Sequence, residues 1–171
     1  MQVAHIPIQF WVQLFHEAKE RIDICVYCGT FLFDTVPGFN RLMANAAERG
    51  GALRFLVGDP ASAAVFQRGA EKERIGHTLT SWCALTLDRL SPMAGYPGIT
   101  IRTQATPLYV SMFRVDASLI ANHHIKGSPA SDNPGLIIKK VADPDLREKY
   151  EASYELIWST SKSALHHLEV N

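Results

Sequence analysis

The 171-residue chain has no long apolar run. Every hydrophobic stretch is cut by a charge or a glycine before it reaches the roughly 20 residues a helical membrane span requires. It has no net charge either: 17 acidic and 17 basic residues balance, so no overall field draws in a nucleic acid or an anionic surface, and no run of Lys and Arg marks a local one. Cysteine is scarce and odd in number, which excludes a fully paired disulfide framework. Cys25 and Cys28 form a Cys-x-x-Cys, but no second Cys/His pair at zinc spacing accompanies it. It lies in the apolar run IDICVYCG, which reads as a strand, so the two thiols are expected on opposite faces as buried structural groups. No internal repeat, low-complexity segment or secretory leader is visible. These absences predict a cytoplasmic protein with no cofactor, no metal, no membrane contact and no direct nucleic-acid binding. The length suits one domain with its own core.

What is present alternates between helical and strand periodicity. Residues 8–21 carry Ile8, Trp11, Val12, Leu14, Phe15 and Ala18 at helical spacing, with Pro7 suited to a first turn. Residues 22–27 form a short apolar run broken only by Asp23, as expected of a buried strand in a mainly parallel sheet. Residues 29–37 are expected to loop over its carboxyl end, and residues 38–49 to form a helix stopped by Gly50-Gly51. A strand at 53–57 follows, then Gly58-Asp59-Pro60, with Asp59 expected to cap the next helix from the end of the strand. Residues 61–90 hold one or two helices, with a break near Gly69 or Gly76, and Arg68, Glu71, Glu73 and Arg74 on the polar face. SPMAGYPG is a turn-rich linker to a strand at 99–103. Late in the chain the polar loop GSPASDNPG leads to a last strand at 136–141. A final helix follows, capped by Asp143 and Pro144, with Leu146, Tyr150, Tyr154, Ile157 and Trp158 as its apolar stripe.

Between these halves lies TPLYVSMFRVDASLIANHHIKG, the stretch in which polar groups converge. It reads as two strands, 108–115 and 118–122, joined at Asp116 and closed by His123-His124. Period two puts Tyr109, Ser111, Phe113 and Val115 on one face and Val110, Met112 and Arg114 on the other.

The spacing Tyr109-x-Ser111-x-x-x-x-Asp116 resembles the phospholipase D superfamily motif His-x-Lys-x-x-x-x-Asp, with Tyr in the His position and Ser in the Lys position. His123-His124 stands where that family has a Gly-Ser pair. The runs RFLVGDPASAAVFQRGAEKERIG, LYVSMFRVD and EKYEASYELIW resemble a phospholipase D-like domain of unknown function found behind helix-turn-helix modules in actinobacterial regulators. The resemblance covers residues 6–161 and implies an α/β, phospholipase D-like sandwich: a single domain with a mixed, mostly parallel sheet flanked by helices, and a frayed tail at 162–171. It also implies a homodimer, since single-motif members of the family join two copies about a two-fold axis.

The chemistry of that family needs a histidine nucleophile, a histidine acid and phosphate-holding lysines, and Tyr109 and Ser111 supply none of these. His124-x-Lys126 with Asp132 does not restore the motif, because the spacing is one residue too long and the intervening residues form a turn. Two readings follow, beside the plainer one of a purely structural dimer module. In the first, the domain is a catalytically degenerate sensing and dimerisation module in transcriptional regulation, binding a small polar ligand through Tyr109, Ser111, Asp116, His124, Arg68, Glu71 and Asp59. In the second, it is an enzyme acting on a small polar or phosphorylated substrate, with a rebuilt site in which His123 or His124 works with Asp116. Tyr109, Ser111, Asp116 and His124 are expected to face one cavity at the carboxyl end of the sheet.

Overall fold

The alternation of β1, Arg21–Val26, decides how the layers are built. Ile22, Ile24 and Val26 enter one apolar cluster, while Cys25 and the following Tyr27 enter another on the opposite face of the sheet. The computed structural model describes residues 6–71, 78–139 and 145–164. Its elements are α1 Ile8–His16, β1, α2 Thr30–Thr35, α3 Phe39–Glu48, β2 Ala52–Gly58, α4 Ala63–Glu71, α5 Thr78–Leu90, β3 Ile99–Gln104, β4 Val110–Val115, β5 Ser118–His123, β6 Gly135–Lys139, α6 Asp145–Thr160 and β7 Lys162–Ser163. No helix among the described residues is long and apolar enough to cross a membrane.

The strands form one seven-stranded sheet in the order β6-β5-β4-β1-β2-β3-β7. β1–β2 and β2–β3 pair in parallel. The other four pairings, β1–β4, β4–β5, β5–β6 and β3–β7, are antiparallel. The α/β sandwich with a mixed sheet is therefore as expected, but the balance is reversed and the sheet is mostly antiparallel. The reason is only partly local, since one of the four antiparallel pairings is a hairpin and the others depend on how later strands dock. The two-residue turn Asp116-Ala117 closes β4 and β5 into a hairpin, and a hairpin cannot be parallel.

On one face α1, α2 and α3 cover the sheet through an aromatic cluster in which Trp11 meets Phe113 at 5.2 Å and Phe15 meets Phe39 at 5.6 Å, both edge to face. Burying side chains of this size contributes about 1.5–3 kcal/mol each. α2 replaces the expected loop at 29–37. No side chain caps it, and it is held instead by Leu32, which is buried, and by the contact of Phe31 with Phe113. α3 stops as expected: Gly50, at φ +95°, donates to the Ala47 carbonyl and Gly51 to that of Ala46, the paired bonds of a Schellman end.

The other face carries α4 and α6, and α5 reaches both clusters, with Leu79 and Cys83 in the second and Leu87 and Leu90 in the first. Gly69 lies inside α4, so the helix break is not there, and Gly76, with Glu73 and Arg74, lies outside the described residues. Asp59 is not the cap of α4. Its Oδ1 accepts from Ala61 N, whereas Ser62 Oγ accepts from Val65 N at the third helical position. Asp143 and Pro144 lie outside the described residues. In α6 the expected stripe holds for Tyr154, which is buried, and for Tyr150, Ile157 and Trp158, which pack beside it, but Leu146 is exposed and Arg147 takes the inward place. The tail expected to fray from 162 begins with β7, paired to Arg102 and Thr103 of β3.

Beneath α6 runs a row of charge. Asp23, fully buried, lies in register between Arg54 of β2 and Arg114 of β4. Its oxygens accept from Arg54 Nε at 2.7 Å and Nη2 at 2.9 Å, and Arg114 Nη1 stands 3.5 Å away. Arg54 also donates to Glu155 and lies 4.7 Å from the centre of the Tyr154 ring and 4.9 Å from that of Trp158. The bonds to Asp23 outweigh burial and raise the Arg54 guanidinium above its ordinary range.

Candidate functional site at the carboxyl ends of strands one and two

β1 and β2 end side by side, with Gly58 N donating to the Tyr27 carbonyl at 2.9 Å. Just beyond those ends a cavity of about 320 Å³ opens, a volume in the range of small-ligand sites. α4 presents Ala64, Gln67, Arg68 and Glu71 to it, the i, i+3, i+4, i+7 face of a helix. The opposite wall is Tyr27, Leu108, Tyr109 and His124, with Pro107 and Lys126 at its margins.

His124 is fixed on three sides. Its Nδ1 lies 2.9 Å from the Leu108 carbonyl, which can only accept, so Nδ1 carries a proton. In the neutral ring Nε2 then accepts from Ser111 Oγ at 2.8 Å. One ring face stacks on Tyr27, with centroids 5.4 Å apart. The Tyr27 hydroxyl in turn accepts the Leu108 N–H at 2.7 Å. Burial pushes the Tyr27 phenol up, and this outweighs the opposing effects of the Leu108 N–H and the Arg68 charge.

The expected residues divide. Tyr109, His124, Arg68 and Glu71 line the cavity. Tyr109 is 81% exposed, because β4 begins only at Val110, whereas Ser111 is buried and turned to His124. Asp116 is elsewhere. It sits at the far end of β4, which at about 3.4 Å per residue spans roughly 20 Å, so one cavity does not hold all four residues. Its carboxylate accepts the N–H groups of Lys19, Glu20 and Arg21 at 2.8 to 2.9 Å and pins the start of β1. Burial pushes the Asp116 carboxyl up, but the three N–H donors, aided by the Lys19 charge, outweigh it and leave the group below its ordinary value. Asp59 shapes the turn between β2 and α4, and His123 Nε2 pairs with the Tyr150 hydroxyl of α6 at 2.9 Å.

Reasoning from the sequence missed Tyr27, Gln67, Leu108 and Lys126. Tyr27 had a signal, since it ends a central strand where open α/β sheets hold ligands. The two thiols do not diverge: β1 ends at Val26, and both Cys25 and Cys28 pack in the cluster beside Tyr27. Burial pushes the Cys25 thiol up to about 12. Among the described residues no three His, Cys, Asp or Glu side chains are grouped to hold a metal.

No protein-family model matches the chain, and no curated protein matches it. Solved structures do. The archaeal chromatin protein TrmBL2, whose structure shows a novel mode of DNA binding, superposes with a TM-score of 0.61 at 11% identity, covering 95% of this chain and 52% of that one. Nuc of Salmonella typhimurium, a phospholipase D family member, gives 0.55 at 13% identity, covering 91% and 88%. Phosphatidylserine synthase of Haemophilus influenzae Rd KW20 gives 0.59 at 15% identity, covering 95% and 38%. The chain thus spans about half the length of TrmBL2 and nearly all of Nuc. At these identities the likeness is one of fold, and with the sheet and helices described above it establishes that this chain has a phospholipase D-like α/β fold.

Proposed function

We propose that this is a catalytically degenerate phospholipase D-like domain that binds a small polar ligand at the ends of β1 and β2 and acts, as a homodimer, as a sensing module in transcriptional regulation. The observation that carries the reading is the cavity itself. Tyr27, Arg68, Glu71 and Lys126 bring donors and acceptors to it, and His124, held by Leu108 and Ser111, forms part of its wall. The positions that would hold the family's reacting His and Lys are occupied by Tyr109, splayed outward, and Ser111, engaged by His124. A phenol and a hydroxyl there favour binding over phosphoryl transfer. The second reading joins His123 or His124 to Asp116 for proton transfer. It is not favoured, because Asp116 lies at the other end of the hairpin and His123 is turned to α6.

The regulatory role draws support from TrmBL2, a chromatin protein of which this chain spans about half. Pairing draws support from Tyr109 and Ile125, 81% and 50% exposed, which leave apolar surface by the cavity. The test is mass spectrometry of small molecules that co-purify with the chain, followed by thermal shift with each hit and light scattering. A dimer and a saturable rise in Tm that Tyr27→Phe or Tyr109→Ala weakens are expected. Metal-independent phosphodiesterase turnover that disappears in His124→Ala would overturn the reading.

A further inference from the structure

Arg68 and Arg147 are the two most deeply buried arginines among the described residues, at 6% and 9% exposure, and their surroundings differ in kind. Arg147 is bonded through all three of its nitrogens. Its Nε donates to Glu151 at 2.5 Å, its Nη2 to the Asp116 carbonyl at 2.8 Å and its Nη1 to the Ala117 carbonyl. Arg68 is under-bonded. Its Nη1 reaches Glu71 only at 3.5 Å, its Nη2 reaches the Ile125 carbonyl at 3.3 Å, and Nε, closed to solvent, has no hydrogen-bond partner. A guanidinium has five N–H donors and prefers contacts near 2.9 Å, so a buried one holding two long contacts lacks an acceptor. Arg68 also lines the cavity, where an acceptor can arrive.

The lining defines that acceptor. Its ionised side chains are Arg68 and Lys126 against Glu71, one positive charge in excess. One carboxylate neutralises that excess, whereas a phosphate dianion reverses it. A planar carboxylate also matches the guanidinium fork. Ala64, Pro107, Leu108 and the Tyr109 ring supply an apolar wall for the rest of the molecule. Resting on the reading of this cavity as a ligand site, we infer that it takes a small monocarboxylate with an aromatic or short apolar body, seated on Arg68, which thereby exchanges the Ile125 carbonyl for the ligand. The exchange unties α4 from the segment after β5, so occupancy is passed to residues 125–134 and on to β6.

The probes are sodium benzoate, its neutral isostere benzamide, and phenylphosphonate as a dianion at pH 8, titrated into the full chain by calorimetry at constant ionic strength. Benzoate is expected to bind about tenfold or more tighter than either of the others, and Arg68→Gln to weaken it by about tenfold or more. Arg68→Lys recovers only part, since an ammonium lacks the fork. Amide exchange at 125–134 rises with benzoate in the wild type and not in Arg68→Gln. Benzamide binding as tightly as benzoate, or Arg68→Gln binding benzoate unchanged, overturns the inference but leaves the cavity a ligand site. Failure of benzoate to bind also overturns it, and the co-purification experiment then decides the ligand reading separately. Should Arg68→Gln not fold, the inference stands or falls on the ratio of benzoate to benzamide affinity and on the exchange at 125–134 in the wild type.

Discussion

Asp23 offers the sharpest test of how this sheet is held together. It is a fully buried carboxylate on the central strand, flanked in register by Arg54 and Arg114, and Arg54 is itself capped by Glu155 and two aromatic rings. Asp23→Asn keeps the size of the side chain and removes its charge, leaving Arg54, with a side chain only 19% exposed, facing an amide. Breaking one side of such a buried pair costs about 3–5 kcal/mol, because Arg54 and Arg114 lose the buried carboxylate between them and keep only Glu155 and Glu151 on the α6 side. A domain of this size loses roughly 2–4 °C of Tm per kcal/mol, so the expected fall is about 6–20 °C. Calorimetry at neutral pH reads it, and added salt should change it little, since buried pairs are weakly screened. The double variant Asp23→Leu with Arg54→Met should recover most of the loss, because apolar residues of similar volume replace a buried pair at little cost. If Asp23→Asn melts within about 2 °C of the wild type, or the double variant melts below both singles, the row of charge is not what secures β1 to its neighbours.

Asp116→Asn should lower Tm by several degrees at pH 7, since one amide oxygen replaces a carboxylate that serves three N–H donors. The carboxyl is held below its ordinary value in the folded chain. Its contribution is therefore complete above the unfolded value of about 3.9 and disappears as pH falls through the lower folded one, so the two melting curves should converge in acid. Gly58→Ala should destabilise the chain by about 1–3 kcal/mol, because the added Cβ would stand 2.9 Å from a Val65 methyl and 3.0 Å from the Tyr27 carbonyl. It should also weaken ligand binding, since Tyr27 lines the cavity and Val65 belongs to α4, which forms its other wall. A thiol reagent should modify Cys28, which is half-buried, before Cys25, whose buried thiol resists ionisation up to about 12. Peptide mapping after timed labelling orders the two.

Much of the fold was legible because its signals are local. A short apolar run located β1, strands were placed at β2 and β3, period two described β4 of the hairpin, and Gly50-Gly51 ended α3 where expected. The sense of the sheet was not legible, because an apolar run such as IDICVY suits a buried strand of either kind, and only pairing with β4 settles it. α2 was missed because it rests on Leu32 and Phe31 finding partners far along the chain. For the site, the i, i+4 relation of Ala64 and Arg68 was available in the sequence, and His124 was picked out by its place after β5. Asp116 was misjudged because its position in a motif says nothing of which end of a strand faces a cavity. Its partners, the N–H groups of Lys19 to Arg21, come from a turn 95 or more residues away.

The row of charge under α6 also bears on the order in which the chain assembles. Asp23 and Arg54 are 31 residues apart, and Arg54 and Glu155 are 101 apart, so the group buried first along the chain is neutralised by groups made much later. A nascent β1 beside β2 alone retains a hydrated carboxylate with one arginine, and dehydrating it is unfavourable until β4 and α6 arrive. Closing loops of that length is slow, which puts the sealing of the central strand late on the folding path. Fragments cut between β3 and β4 should accordingly remain wet and expanded at β1, and the two halves of the sheet should unfold in one transition.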